Sequence, residues 1–84
     1  MDSMDIKRRF GLALKRERER AKLTQEALAN KIGEDDPYVD QAYISRVEAG
    51  QVNLTLETMA ALAKALDVDP AVFLAKPPVA ARRQ

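Results

Sequence analysis

The sequence predicts an all-α domain of five helices, and two regularities support that fold class. Four positions suited to helix N-caps, Thr24, Asp40, Thr55 and Asp69, each follow one apolar residue and stand four positions before another. This spacing is the hydrophobic staple, which fixes the direction in which a chain enters a helix. After each cap, and in the segment before the first one, apolar residues recur every three or four positions. Five helices of this kind would enclose one small core.

The first helix is predicted to follow a disordered leader of Met1 to Met4 and to end near Ala21. Its apolar face is formed by Ile6, Phe10, Ala13, Leu14 and Ala21. In the run from Lys15 to Arg20, opposite charges stand three and four positions apart. Such a run is typical of a solvated helix face crossed by weak ion pairs.

The stretch from Leu23 to Gly50 contains two caps and two glycine stops, which mark a pair of helices. The apolar face of the second helix is formed by Ala27, Leu28 and Ile32. Gly33 is predicted to end that helix. In the third helix Ile44 and Val47 form the buried stripe, and Gly50 stands where a left-handed C-cap favours a residue without a Cβ.

The fourth and fifth helices complete the core. The fourth has an apolar stripe of Leu56, Met59, Ala60, Leu62, Ala63 and Leu66. The fifth, from Asp69 to about Leu74, is short and carries more apolar surface than it can hide by itself. Val72, Phe73 and Leu74 are therefore a candidate surface for a dimer or a partner protein. Residues 1–75 form the predicted domain, and residues 76–84 a basic, flexible tail.

Three segments carry a resemblance to a known family: TQEALANKIG, AYISRVEAG and LETMAALAKALDV. In this order they resemble the phage-repressor and Cro-like (XRE-type) helix-turn-helix family over roughly Gly11 to Leu74. The resemblance implies a compact, lambda-repressor-like DNA-binding domain that regulates transcription. It also implies an ion pair between Arg18 and Glu48, which would join the first helix to the end of the third.

One segment departs from the family pattern. The turn of a helix-turn-helix has about 3–4 residues, whereas the segment from Gly33 to Val39 is longer. The inserted segment, Glu34 to Val39, begins with the acidic residues Glu34, Asp35 and Asp36, so we expect it to project away from DNA phosphates. Three roles stay open: a tolerated surface insertion, a partner-binding loop in which Tyr38 takes part, and an acidic cation site without EF-hand spacing.

In a helix-turn-helix the second helix of the motif enters the major groove. The residues left on or near its outward side are Gln41, Ala42, Ser45 and Arg46. Gln41 is suited to adenine, Ala42 to a thymine methyl group, and Arg46 to guanine or, alternatively, to a phosphate. Tyr43 has two open roles, a phosphate contact through its hydroxyl and simple packing of its ring.

Phosphate contacts are expected on both flanks of this helix. The candidates are Thr24, Gln25, Tyr43, Asn53, Thr55, Lys15 and Arg16. Thr24 begins the second helix, whose free N–H groups and dipole attract an anion. The family resemblance implies the contacts of Gln25, Asn53 and Thr55 with the DNA backbone.

Composition narrows the classes of function. The net charge is +1, but residues 1–32 carry nine Lys and Arg against five Asp and Glu, so the basic charge is concentrated in the first part of the chain. The absence of Cys excludes disulfides and thiolate metal sites, and the absence of both His and Cys removes most of the usual catalytic bases, nucleophiles and metal ligands, so we expect no enzyme and no cofactor. The sequence has neither a membrane-length apolar run nor a signal-peptide core, so we expect a cytoplasmic protein.

The leading interpretation is a sequence-specific transcription regulator, either a repressor or an autoregulating controller. A single reading helix makes few contacts with double-stranded DNA, so we expect a homodimer on a two-fold operator with half-sites about 34–36 Å apart. The alternative is a protein-interaction module, such as an antitoxin or an adaptor, that binds a partner protein.

Overall fold

The computed structural model describes residues 3–33 and 36–75. It contains four α-helices, α1 (Ser3–Arg20), α2 (Gln25–Gly33), α3 (Gln41–Glu48) and α4 (Leu56–Leu66), followed by a 3-10 helix (Pro70–Phe73). The predicted all-α class is confirmed. The fifth element is a single turn of 3-10 helix rather than an α-helix, the form that such short helical pieces commonly take.

All four predicted N-caps are present. The side-chain oxygens of Thr24, Asp40, Thr55 and Asp69 accept hydrogen bonds of 2.8–3.1 Å from backbone amides in the following turn. Each bond satisfies a helix-terminal N–H that has no partner within its helix. The staple spacing therefore located the starts of the last four elements correctly.

The ends of α1 differ from the prediction. The backbone is already helical at Ser3, so the disordered leader is wrong at Ser3 and Met4, while Met1 and Asp2 lie outside the described residues. At the other end α1 stops at Arg20, and Lys22 adopts a left-handed conformation with φ of 61°. Ala21 consequently lies on the surface instead of on the apolar face.

The core is built where α1 and α2 meet the later elements. Helix α1 packs against α3 and the 3-10 helix, and α2 packs against α3 and α4. The buried apolar residues are Phe10, Ala13, Leu14, Leu28, Ala29, Ile32, Val39, Ile44, Val47, Leu62, Ala63, Leu66 and Phe73. The rings of Phe10 and Phe73 lie 4.9 Å apart, so the 3-10 helix closes the core against α1.

This packing corrects the candidate surface on the fifth element. Phe73 is fully buried and cannot meet a partner, and Val72 is partly buried against the core. Leu74 is 43% exposed. On α4 the predicted apolar stripe is wrong at Leu56, which is 75% exposed in the first turn of the helix, and at Ala60, which is also exposed. Among the described residues, the large exposed apolar side chains are Leu12, Tyr38, Leu56 and Leu74.

Candidate nucleic-acid interface

Helix α3 has an inward and an outward side. Ile44 and Val47 are buried in the core, as predicted. The four candidate base-reading residues, Gln41, Ala42, Ser45 and Arg46, are all exposed. The helix thus presents to solvent the side chains on which the helix-turn-helix interpretation depends.

The C-terminal end of α3 is closed by a Schellman motif. The Gly50 amide donates to the Val47 carbonyl, and the Gln51 amide donates to the Arg46 carbonyl, both at 3.0 Å. Gly50 adopts a φ of +76°, and a residue with a side chain would be strained in this conformation. This is the left-handed position that the sequence predicted for it.

The same end of α3 lies directly against α1. A Cβ placed on Gly11 would stand 2.5 Å from the Val47 carbonyl oxygen and 2.7 Å from that of Glu48. The two backbones can approach this closely only because Gly11 has no side chain. Gly11 therefore sets the distance between α1 and α3.

An ion pair joins the two helices at this contact. Arg18 donates from Nε to Glu48 Oε2 at 2.6 Å and from Nη2 to Oε1 at 3.1 Å, and its Nη1 donates to the Leu23 carbonyl at 2.8 Å. The Arg18 side chain is 11% exposed and the Glu48 side chain is 5% exposed. The hydrogen bonds to Glu48 raise the pKa of Arg18 above its ordinary value, although burial acts in the opposite direction. The pair that the family resemblance implied is formed in the structure.

Gln25 belongs to this ion-pair network. Its side-chain amide donates to Glu48 Oε1 at 3.1 Å, which links α2 to the end of α3. An amide has two N–H donors, so this bond leaves one for another acceptor. The phosphate contact expected of Gln25 stays a prediction.

Tyr43 packs its ring against the core, and the Arg46 guanidinium carbon lies 5.9 Å from the centre of that ring. Burial raises the pKa of Tyr43, while the hydrogen bond from the Thr58 side chain and the charge of Arg46 lower it. The nearby charge of Asp36 raises it further. The ring-packing role is therefore present, and a phosphate contact stays a prediction.

The other candidate phosphate contacts lie at the surface. Thr24, Asn53, Thr55 and Lys15 are exposed. Arg16 is partly exposed, and its Nε lies 3.4 Å from Glu17 Oε2. The two threonines already cap helices, so their hydroxyl oxygens accept backbone amides. The O–H group of Thr24 is a donor to consider for a phosphate, whereas that of Thr55 donates to Thr58 Oγ1 at 3.0 Å.

The inserted turn is described from Asp36 onward, and Glu34 and Asp35 lie outside the described residues. Asp36 accepts a hydrogen bond from the Tyr38 amide at 3.2 Å, which forms a local turn. Tyr38 is 87% exposed, so it does not cover the core, whereas Val39 is buried. The charge of Asp36 raises the pKa of Tyr43, which stands in the first turn of α3.

Sequence reasoning missed the packing of two residues of α1. Gly11 was not singled out, although a glycine within a helical pattern signals a close backbone approach. Glu17 was read as part of a solvated face, but it is buried beside Arg16 and Arg20. Glu17 stands seven positions after Phe10, which places it on the apolar face of α1 and could have shown its burial.

Within the described residues, no group of three or more acidic side chains is placed to hold a metal ion. None of the described helices is both long and apolar enough to cross a membrane.

Comparisons with known proteins give the family. The sequence profile of the helix-turn-helix family matches residues 14–73. The structure is similar to that of the restriction-modification controller protein C.AhdI from Aeromonas hydrophila, with 34% identity, a TM-score of 0.76, and coverage of 87% of this chain and 99% of that one. It is also similar to a hypothetical transcription factor, NHTF, from Neisseria, with 27% identity, a TM-score of 0.78, and coverage of 92% and 83%. No curated protein shows significant sequence similarity. The chain belongs to the phage-repressor and Cro-like (XRE-type) family of helix-turn-helix DNA-binding transcription regulators.

Proposed function

We propose that the protein is a repressor or an autoregulating controller that binds a two-fold operator through the major groove as a homodimer. The observation that carries the proposal is the exposure of all four candidate reading residues on α3, whose opposite side is buried in the core. The similarity to a restriction-modification controller and to a transcription factor supports this class of regulator. The cytoplasmic location expected from the sequence is part of the proposal.

Base readout is assigned to the first turns of α3. Gln41, at the N-terminus of the helix, donates to adenine N7 and accepts from N6, and Ala42 contacts a thymine methyl group. Ser45 lies beside them and can bond to a base or a phosphate. Arg46, one turn further on, makes two hydrogen bonds to guanine O6 and N7, worth about 1–3 kcal/mol of discrimination.

Phosphate contacts flank this helix. Thr24 and Gln25 stand at the start of α2, where the helix dipole favours an anion. Asn53 and Thr55 stand in the loop and cap before α4, on the other flank. Lys15 and Arg16 add sequence-independent attraction, which weakens as the salt concentration rises.

The dimer surface is assigned to an apolar groove. Ile6, Phe10, Val47, Val52, Leu54, Leu56, Met59 and Leu74 line most of it. Its volume is about 270 Å³, and its rim contains the exposed side chains of Leu56 and Leu74. Asn53 and Thr55 also line this groove, so the proposed dimer surface adjoins the loop that is proposed to contact phosphates. A second copy is therefore the occupant that fits the proposed two-fold operator.

Selection of bound sites from a random oligonucleotide pool tests the function. We expect a two-fold motif with half-sites about one helical turn apart. Arg46→Ala should lose preference at one base pair of each half-site and keep its folded circular dichroism spectrum. Recovery of no enriched motif at physiological salt would contradict the proposal.

Sedimentation equilibrium tests the dimer surface. Leu56→Lys places a charge in the groove at an already exposed position, so the fold is retained while association weakens. The matched control is Leu12→Lys, because Leu12 is 61% exposed on α1 and does not line that groove. Equal association of the two variants would show that the groove is not the dimer surface.

One observation favours a second function. Tyr38 projects from the inserted turn with 87% of its surface exposed, and aromatic side chains are enriched at protein interfaces. The alternative is a module, such as an antitoxin or an adaptor, that holds a partner protein through this turn. This alternative would be favoured if the wild type binds one protein partner stoichiometrically and Tyr38→Ala does not. The wild type would also bind every DNA sequence with the same, nonspecific affinity.

A further inference from the structure

On α3 the exposed side chain of Arg46 lies beside the partly buried ring of Tyr43. The Arg46 guanidinium carbon lies 5.9 Å from the centre of the Tyr43 ring, within the range of a cation–π interaction. The two residues stand three positions apart and so lie on one face of the helix. Arg46 is exposed, and a long exposed side chain without such a contact samples many rotamers. The ring therefore limits where the guanidinium can go.

The Tyr43 ring is itself anchored by two helices. It packs against the core, and the Tyr43 backbone amide is fixed by the Asp40 cap at 2.8 Å. The Thr58 side chain of α4 lies near the Tyr43 hydroxyl and lowers the pKa of Tyr43. Thr58 is in turn held by Thr55, whose hydroxyl donates to Thr58 Oγ1 at 3.0 Å. The ring beside Arg46 is thus held by its packing against the core and by the Asp40 cap.

We infer that Tyr43 is a positioning residue, which holds the Arg46 guanidinium in place for a base edge and thereby sharpens the choice of base at one operator position. The inference rests on the proposed function. Bidentate recognition of guanine needs the guanidinium in one plane with the base. Ordering that group before binding reduces the entropy lost on complex formation.

The experiment compares base discrimination among variants of the full chain. Fluorescence anisotropy gives the Kd for the selected operator and for a panel in which each base pair is changed in turn. Arg46→Ala first identifies the pair that Arg46 reads. Tyr43→Leu should then lose about 2- to 5-fold of the discrimination at that pair, the size of an exposed cation–π interaction, and keep discrimination elsewhere. Tyr43→Phe keeps the ring and should retain most of the effect.

A double-substitution cycle separates positioning from direct contact. In the Arg46→Ala background, Tyr43→Leu should change base discrimination no further, because the group that it positions is gone. A tyrosine that serves only as a phosphate donor gives another pattern. Tyr43→Phe would then weaken binding to every sequence equally and reduce its salt dependence, which would overturn the inference.

The contact is also measurable without DNA. In NMR spectra of the free protein, the ring current should shift the Arg46 side-chain protons in the wild type and in Tyr43→Phe, but not in Tyr43→Leu. Thermal melting by circular dichroism shows whether each variant is folded. Absence of the shift in the wild type would overturn the inference.

The two proposals fail in distinguishable ways. A wild-type chain that prefers no DNA sequence overturns the proposed function, and with it the role of Tyr43 in base choice, even where the ring-current shift is present. A sequence-specific wild type whose discrimination is unchanged by Tyr43→Leu overturns only the positioning role.

Discussion

The two ends of α3 are held in different ways. The C-terminal end is fixed from several directions, by the close approach of Gly11, the Schellman motif at Gly50 and the hydrogen bonds of Glu48 to α1 and α2. The N-terminal end is held by the Asp40 cap and by the packing of Tyr43 and Ile44, and Gln41 beside the cap is exposed. The helix is therefore fixed by polar and close backbone contacts mainly at its C-terminal end, while its outward side, from Gln41 to Arg46, faces solvent.

This difference teaches how one scaffold can serve many operators. Residues that position α3 have buried partners, so substitution there costs folding free energy. Residues on the outward side have few intramolecular contacts, so substitution there changes what the helix binds and leaves the fold intact. The predictions below test this division by the free energy of unfolding, from the largest expected change to the smallest.

The largest loss is expected for Arg18→Met. Removing the cation leaves Glu48 buried without its main partner, which costs about 3–5 kcal/mol of the free energy of unfolding. Urea unfolding followed by circular dichroism measures the change. The matched control is Arg20→Met: Arg20 is 73% exposed and its Nη1 lies 3.6 Å from Glu17, so a loss of about 1 kcal/mol or less is expected. Equal losses in the two variants would show that the Arg18–Glu48 pair stabilises the fold no more than an exposed ion pair does.

The next loss is expected for Gly11→Ala. The added Cβ would overlap the Val47 and Glu48 carbonyl oxygens, and overpacking of this kind costs about 1–3 kcal/mol. Gly33→Ala is the matched control, because a Cβ at Gly33 meets no atom within 4 Å. Alanine should there stabilise the fold by about 0.4–1 kcal/mol. A stabilising Gly11→Ala would show that the approach of α1 to α3 is not limiting.

A smaller loss is expected at the other end of α3. Asp40→Ala removes the acceptor for the Tyr43 amide and should cost about 1 kcal/mol. Asp40→Asn keeps a side-chain oxygen at the cap and should be close to neutral in urea unfolding. A loss in Asp40→Ala as large as that in Arg18→Met would show that both ends of the helix are held equally firmly.

The sequence predicted the helix starts better than the helix contacts. N-caps and staples are local patterns, so Thr24, Asp40 and Thr55 could be recognised without knowledge of the fold. The position of Gly50 followed from the same kind of local rule. The burial of Phe73 depends instead on its ring meeting Phe10, more than sixty residues earlier, which no local pattern encodes.

In the candidate site, too, the exposure of side chains on one helix was predicted better than the contacts between helices. The exposure of Gln41 and Arg46 follows from the 3.6-residue period of one helix, because Ile44 and Val47 fix which side is buried. The pairing of Arg18 with Glu48 came from the family resemblance, since charge pattern alone does not match residues thirty positions apart. The hydrogen bond from Gln25 to Glu48 was missed for that reason.

The smallest change in folding is expected on the outward side of α3. Gln41→Ala and Ser45→Ala should each alter the free energy of unfolding by no more than about 0.5 kcal/mol, because both side chains are exposed. If Gln41 reads adenine, the same Gln41→Ala variant should lose about 1–3 kcal/mol of discrimination at one base pair. Urea unfolding and anisotropy titrations on one preparation measure both quantities.

If the residues that hold α3 differ from those that recognise DNA, Gln41→Ala should change base preference without changing the free energy of unfolding. A Gln41→Ala protein that unfolds as readily as Arg18→Met would place Gln41 among the residues that hold the helix. A stable Gln41→Ala protein with unchanged base preference would move readout to other residues of α3. A stable protein with altered preference is the result expected if the buried side of α3 and its C-terminal contacts hold the fold while its outward side recognises bases.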